Sequence, residues 1–68
     1  MRYAVVIEKA GANYSAYVPD LPGCVATGET REEAEREIRK AVRFYLEGLR
    51  EHGVPAPEPQ ATLAYVEA

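Results

Sequence analysis

Three kinds of chemistry are raised by single residues of this chain: a thiol nucleophile, a metal-held pair of carboxylates and a phosphate-cradling glycine loop. Cys24 is the only cysteine and follows Pro22-Gly23. A nucleophilic cysteine needs a base within hydrogen-bond reach, and the only histidine is His52, at the far end of a predicted helix. Cys24 therefore reads as a small buried hydrophobe. His52 reads as a residue of the last helical turn, where a cation or donor suits the free carbonyls, because no second histidine or carboxylate accompanies it at ligand spacing. Asp20 and Glu29 could form a carboxylate pair for two-metal phosphodiester chemistry. Asp20, however, lies between prolines, where its side chain can take nearby backbone amides, and Glu29 directly precedes a helix start, so both read as structural or solvated. Gly23 and Gly28 form neither G-x-G-x-x-G nor a P-loop. No catalytic group, metal ligand or cofactor site is assigned by the residues.

Five tyrosines (Tyr3, Tyr14, Tyr17, Tyr45 and Tyr65) point instead to binding, since tyrosine joins an apolar body to a polar tip and is enriched at interfaces. The elements that position them follow from the spacing. Arg2 to Glu8 reads as a strand, with Tyr3, Val5 and Ile7 on one face and Ala4 and Val6 on the other. Lys9 to Asn13 is a hairpin loop. Tyr14 to Val18 is a second strand, with Tyr14, Ala16 and Val18 opposite Ser15 and Tyr17. Pro19-Asp20-Leu21-Pro22-Gly23 is a rigid corner, because each proline fixes φ and lacks a donor and restrains the residue before it. Cys24 to Thr27 is a third strand. Gly23 and Gly28 mark a positive φ or a close approach.

Thr30 and Glu33 have the spacing of a capping box, and a helix is predicted from Arg31 to His52. Its apolar stripe is Ala34, Ile38, Ala41, Val42, Tyr45, Leu46 and Leu49, with Phe44 off the stripe. Glu32–Arg36 and Glu35–Arg39 are spaced to pair. Gly53 suits the position after the helix end, and Pro55 prevents continuation. Pro55 to Pro59 reads as an extended linker, and Ala61 to Glu67 as a last strand. Where that strand docks is open: parallel beside the first after a right-handed crossover, or exchanged with another subunit. The order β-β-β-α-β gives an α+β, two-layer single domain over residues 1–68, one long helix covering an antiparallel sheet.

Sixty-eight residues with 47% hydrophobic and 28% charged composition describe a small globular chain. Such a chain buries only about 60% of its unfolded surface, and one cysteine forbids an internal disulfide, so self-association is the expected support. A net charge of −3 argues against phosphate-backbone binding as the main task and fits a basic partner. No apolar run spans a membrane and no stretch resembles a signal peptide, so a cytoplasmic location with a reduced thiol is expected. One helix cannot cover both sheet faces. Ala4, Val6, Tyr17, Phe44 and Tyr65 are thus the expected contacts with a second copy or another partner, and a homodimer or higher even-numbered oligomer is predicted.

The stretch Tyr17-Val18-Pro19-Asp20-Leu21-Pro22-Gly23-Cys24-Val25-Ala26-Thr27-Gly28-Glu29-Thr30-Arg31-Glu32-Glu33-Ala34 resembles the signature of the HicB-like antitoxin family. The segment from Leu46 to Pro59 is also similar, and the resemblance covers nearly the whole chain. Glu29 departs from it, standing where aspartate is common. The resemblance implies a partial ribonuclease-H-like fold without that enzyme's active site. It also implies a protein that binds and neutralises a small basic ribonuclease toxin. Full-length relatives carry a C-terminal DNA-binding segment, for which a chain stopping at Ala68 leaves no room, so direct DNA binding is not expected. Two other readings stay open: an orphan homo-oligomeric regulatory domain with no toxin, and a ribonuclease-H-like nuclease. Pro19, Asp20, Leu21, Pro22, Gly23, Gly28, Thr30 and Glu33 carry the structural motif.

Overall fold

Three strands, β1 (Val6–Ala10), β2 (Asn13–Tyr17) and β3 (Val25–Gly28), precede one helix, α1 (Arg31–Glu51), in a computed structural model that describes all 68 residues. The antiparallel sheet has the order β1-β2-β3, and α1 lies across one face, which is the predicted α+β arrangement. The β1–β2 turn is Gly11-Ala12, with Gly11 at φ +64° and Ala12 at negative φ. That is the pattern of a two-residue II′-type hairpin, so Asn13 begins β2 rather than forming the loop. β1 begins four residues later than its composition predicts. Val6 pairs with Tyr17, and beyond Tyr17 the partner chain turns away toward Pro19, which leaves Arg2 to Val5 without a ladder.

The corner between β2 and β3 is two turns in series. The Leu21 amide donates to the Val18 carbonyl at 3.1 Å, the Cys24 amide to Leu21 at 3.0 Å, and the Val18 amide to Cys24 at 3.2 Å, closing the loop. Each proline occupies the second position of its turn, where no donor is needed. Gly23, at φ +82°, supplies the positive φ that a type II turn requires after Pro22. Val18, Leu21 and Cys24 thereby point inward and join Ala16, Ala34 and Ile38 as the core, with Leu21 fully buried. Gly28 takes the other role open to a glycine: a Cβ there would collide with the backbone of Glu33 and Ala34.

Thr30 is extended and caps α1, its Oγ1 accepting from the Glu33 amide at 3.0 Å. The return contact falls one residue earlier than a capping box predicts: Glu33 Oε1 accepts from the Glu29 amide at 3.0 Å. Glu35 meets Arg39 at 2.8 Å and Arg31 at 3.6 Å, and Lys40 meets Glu37 at 3.1 Å, whereas the predicted Glu32–Arg36 pair does not form. These exposed pairs stabilise by no more than a few tenths of a kcal/mol each, roughly the ordinary value for helical neighbours. The predicted stripe faces the sheet, with Ala34 and Ile38 buried and Ala41, Val42, Tyr45 and Leu46 packed against the core. At the far end Gly53 is at φ +70°, its amide donating to Arg50 and that of Val54 to Leu49 at 2.8 Å. These are the two bonds of a Schellman motif.

The predicted last strand does not form. Residues 61–68 pair with no strand. Pro55, Pro57 and Pro59 offer no amide donors, and the next two donors, the amides of Gln60 and Ala61, both go to Asp20 Oδ2 at 3.1 and 3.0 Å. The Tyr3 hydroxyl adds a bond to the Pro57 carbonyl at 2.7 Å.

Candidate functional site

Cross-strand register decides which side chains share a face. Ile7, Ala16 and Ala26 stand opposite one another and face α1. The next row, Val6, Tyr17 and Val25, is likewise in register and faces away from the helix. Beside it runs a polar row of Glu8, Ser15 and Thr27. Tyr17 is 40% and Val25 64% exposed, while Val6 and the preceding Ala4 are half-buried.

The apolar surface continues around the β3 edge. A groove of about 380 Å³ between β3 and α1 is lined by Val25, Ala26, Ala41 and Phe44, with Glu37 and Lys40 at its polar side. Phe44 is 80% exposed, being off the helix stripe that faces the sheet. Of the expected contact residues, Val6 and Tyr17 are thus adjacent, Ala4 precedes them, and Phe44 meets the same surface through Val25. Tyr65 stands apart from that row on the C-terminal stretch, 93% exposed. Val25 escaped the sequence reading, although inward Cys24 implied that its neighbour points outward once the third strand paired.

The residues with chemical potential are not brought together. Cys24 is buried directly before β3, which begins one residue later than the predicted strand, and burial pushes its thiol pKa up, which disfavours the nucleophilic thiolate. His52 is the C-cap of α1, exposed, its backbone amide donating to Gly48 and Leu49. Asp20 and Glu29 lie before and after β3, at opposite ends of it, and Asp20 is occupied by the amides of Gln60 and Ala61. No three histidine, cysteine, aspartate or glutamate side chains are grouped to hold a metal. No helix is long and apolar enough to cross a membrane.

Comparison with known proteins covers almost the full chain. A protein of the rep-hol intergenic region of Haemophilus phage HP1 is 35% identical over 66 residues, 97% of this chain and 50% of that protein. A UPF0150 protein of Thermoplasma acidophilum is 40% identical over 62 residues, 90% of each chain. This chain thus spans half the length of the phage relative and nearly all of the archaeal one. Among solved structures, a chain of the HicA3 and HicB3 toxin-antitoxin complex superposes with a TM-score of 0.72 at 28% identity, over 87% of this chain and 70% of that one. The family model for the HicB-like antitoxin of bacterial toxin-antitoxin systems matches residues 3–68. The chain belongs to the HicB-like antitoxin family.

Proposed function

We propose that this chain is the antitoxin of a toxin–antitoxin pair and acts in the cytoplasm by masking a small basic ribonuclease, without catalysis of its own. The observation that carries the reading is the in-register row Val6–Tyr17–Val25 on the sheet face that α1 leaves open. Apolar and aromatic residues exposed together mark an interaction surface. The charge of that face fits a basic partner: Glu8 flanks the row, and at the adjoining groove the charge of Lys40 is offset by its pairing with Glu37 at 3.1 Å. The whole-chain charge of −3 acts in the same direction on approach. The likeness to a chain of a toxin-antitoxin complex supports the class of partner.

The experiment is an RNA-cleavage assay with the small basic protein encoded beside this gene, titrated with the purified chain. Stoichiometric loss of cleavage is expected. Undiminished cleavage, with no complex on gel filtration, would overturn the reading.

A further inference from the structure

The sheet has one vacant edge next to one unpaired strand-like segment, and both belong to the same chain. β1 is an outer strand, and α1 packs chiefly over β3 and β2, touching β1 least. β1 offers five strand residues and continues backward into the unpaired Tyr3 to Val5, whereas β3 on the other side offers four residues. An unprotected edge of this kind is a template for another strand. The C-terminal stretch Ala61-Thr62-Leu63-Ala64-Tyr65-Val66-Glu67 alternates as a strand with apolar residues on both sides. It pairs with nothing, and Tyr65 and Val66 are 93% and 89% exposed.

The root of that stretch is fixed. Asp20 takes the amides of Gln60 and Ala61, and Tyr3 holds Pro57, so the stretch leaves its own body close to the residues that lead into β1. The radius of gyration is 13.0 Å, against about 11 Å for a compact domain of this length. A groove of about 590 Å³ lies between the end of α1 and the first residue, lined by Met1, Leu46, Val54, Pro55 and Ala56 with Glu47 and Arg50 beside them.

We propose that Ala61–Glu67 of each chain pairs with the free edge of Tyr3–Ala10 in a second copy, in a reciprocal exchange that gives a two-fold dimer of four-stranded sheets. A seven-residue strand spans about 23 Å, a length that β1 with the residues leading into it can accommodate and the four-residue β3 edge cannot. The second copy is the fitting occupant because each chain contributes one spare strand and one vacant edge. A reciprocal two-fold exchange fills both, whereas a foreign partner at the edge leaves the apolar stretch in water. This dimer needs no toxin, so its failure leaves the proposed antitoxin role untouched.

Sedimentation equilibrium of the full chain at micromolar concentration is the first test. A mass twice 7.5 kDa is expected, falling to the single-chain value in the Leu63→Asp, Tyr65→Asp double variant with its helical circular-dichroism signal intact. A monomeric wild-type chain, or a double variant that remains dimeric, overturns the proposal. The second test places a nitroxide on Val66→Cys in a Cys24→Ala background and mixes it with unlabelled-spin, nitrogen-15-enriched chain. Broadening of the β1 amides Val6 to Ala10 in the enriched copy is expected. Broadening confined to β3 amides, or none, as a strand folded back on its own β1 gives, overturns it.

Discussion

Two proline-rich segments of this chain have opposite fates. In Pro19–Gly23 each proline sits where its turn needs no donor, and the amides of Val18, Leu21 and Cys24 find carbonyls within the same loop. The loop satisfies itself and can enter the core, carrying Leu21 to full burial. In Pro55–Pro59 every second residue lacks an amide, so the segment cannot satisfy itself. The donors that directly follow it, on Gln60 and Ala61, are held by Asp20 from the other loop, and the apolar residues beyond them remain in water. Proline stiffens both segments. What separates them is whether the remaining donors and acceptors face one another or must be met from outside.

The sharpest break of this contrast is Leu21→Ala, which should cost about 2–5 kcal/mol by cavity formation, a large share of the roughly 5–15 kcal/mol that holds a small domain. Leu63→Ala, the same change in the other segment, should cost no more than about 0.5 kcal/mol at a concentration low enough to keep the chain monomeric. Urea midpoints of the two variants measure the difference. Asp20→Ala tests the bridge between the segments. A loss on the order of 1–2 kcal/mol is expected, toward the low end for hydrogen bonds to a charged group because solvent reaches Gln60. Amide exchange at Gln60 and Ala61 should accelerate while that of Leu21 and Cys24 changes least.

Thr30→Ala removes the cap of α1 and should lower stability by about 0.5–2 kcal/mol, with an unchanged m-value in urea. The smallest effect is a pH slope. Burial raises the Cys24 pKa above its ordinary value near 9.0, so above that value the unfolded chain loses the thiol proton before the folded chain does. Stability is therefore full at neutral pH and falls as pH rises through the ordinary thiol range. Melting curves of wild type and Cys24→Ala between pH 7 and 10 should diverge in that sense.

Much of this was legible because it is local. The double turn follows from proline and glycine at turn positions, the cap from Thr30 and Glu33, and the buried stripe of α1 from its period. Alternation placed Val6 and Tyr17 on the open face. What escaped the sequence depends on residues far apart. Asp20 was readable as a backbone acceptor, but its donors lie forty residues on. The late start of β1 is set by where β2 turns away, not by the residues Arg2 to Val5. Ala61 to Glu67 has strand composition, yet composition names no partner edge, and within the chain the stretch pairs with none. Val25 joined the candidate site only through its register with Tyr17.

The open-face row is tested most directly by the affinity of the purified chain for the basic toxin proposed as its partner, before and after Val25→Glu, a change at an exposed position outside the core. Isothermal titration should show at least about a tenfold weaker complex, equivalent to about 1.4 kcal/mol, with the melting temperature of the free chain unchanged. An unaltered dissociation constant in a folded Val25→Glu variant would contradict the assignment of Val6, Tyr17 and Val25 as the toxin-binding face.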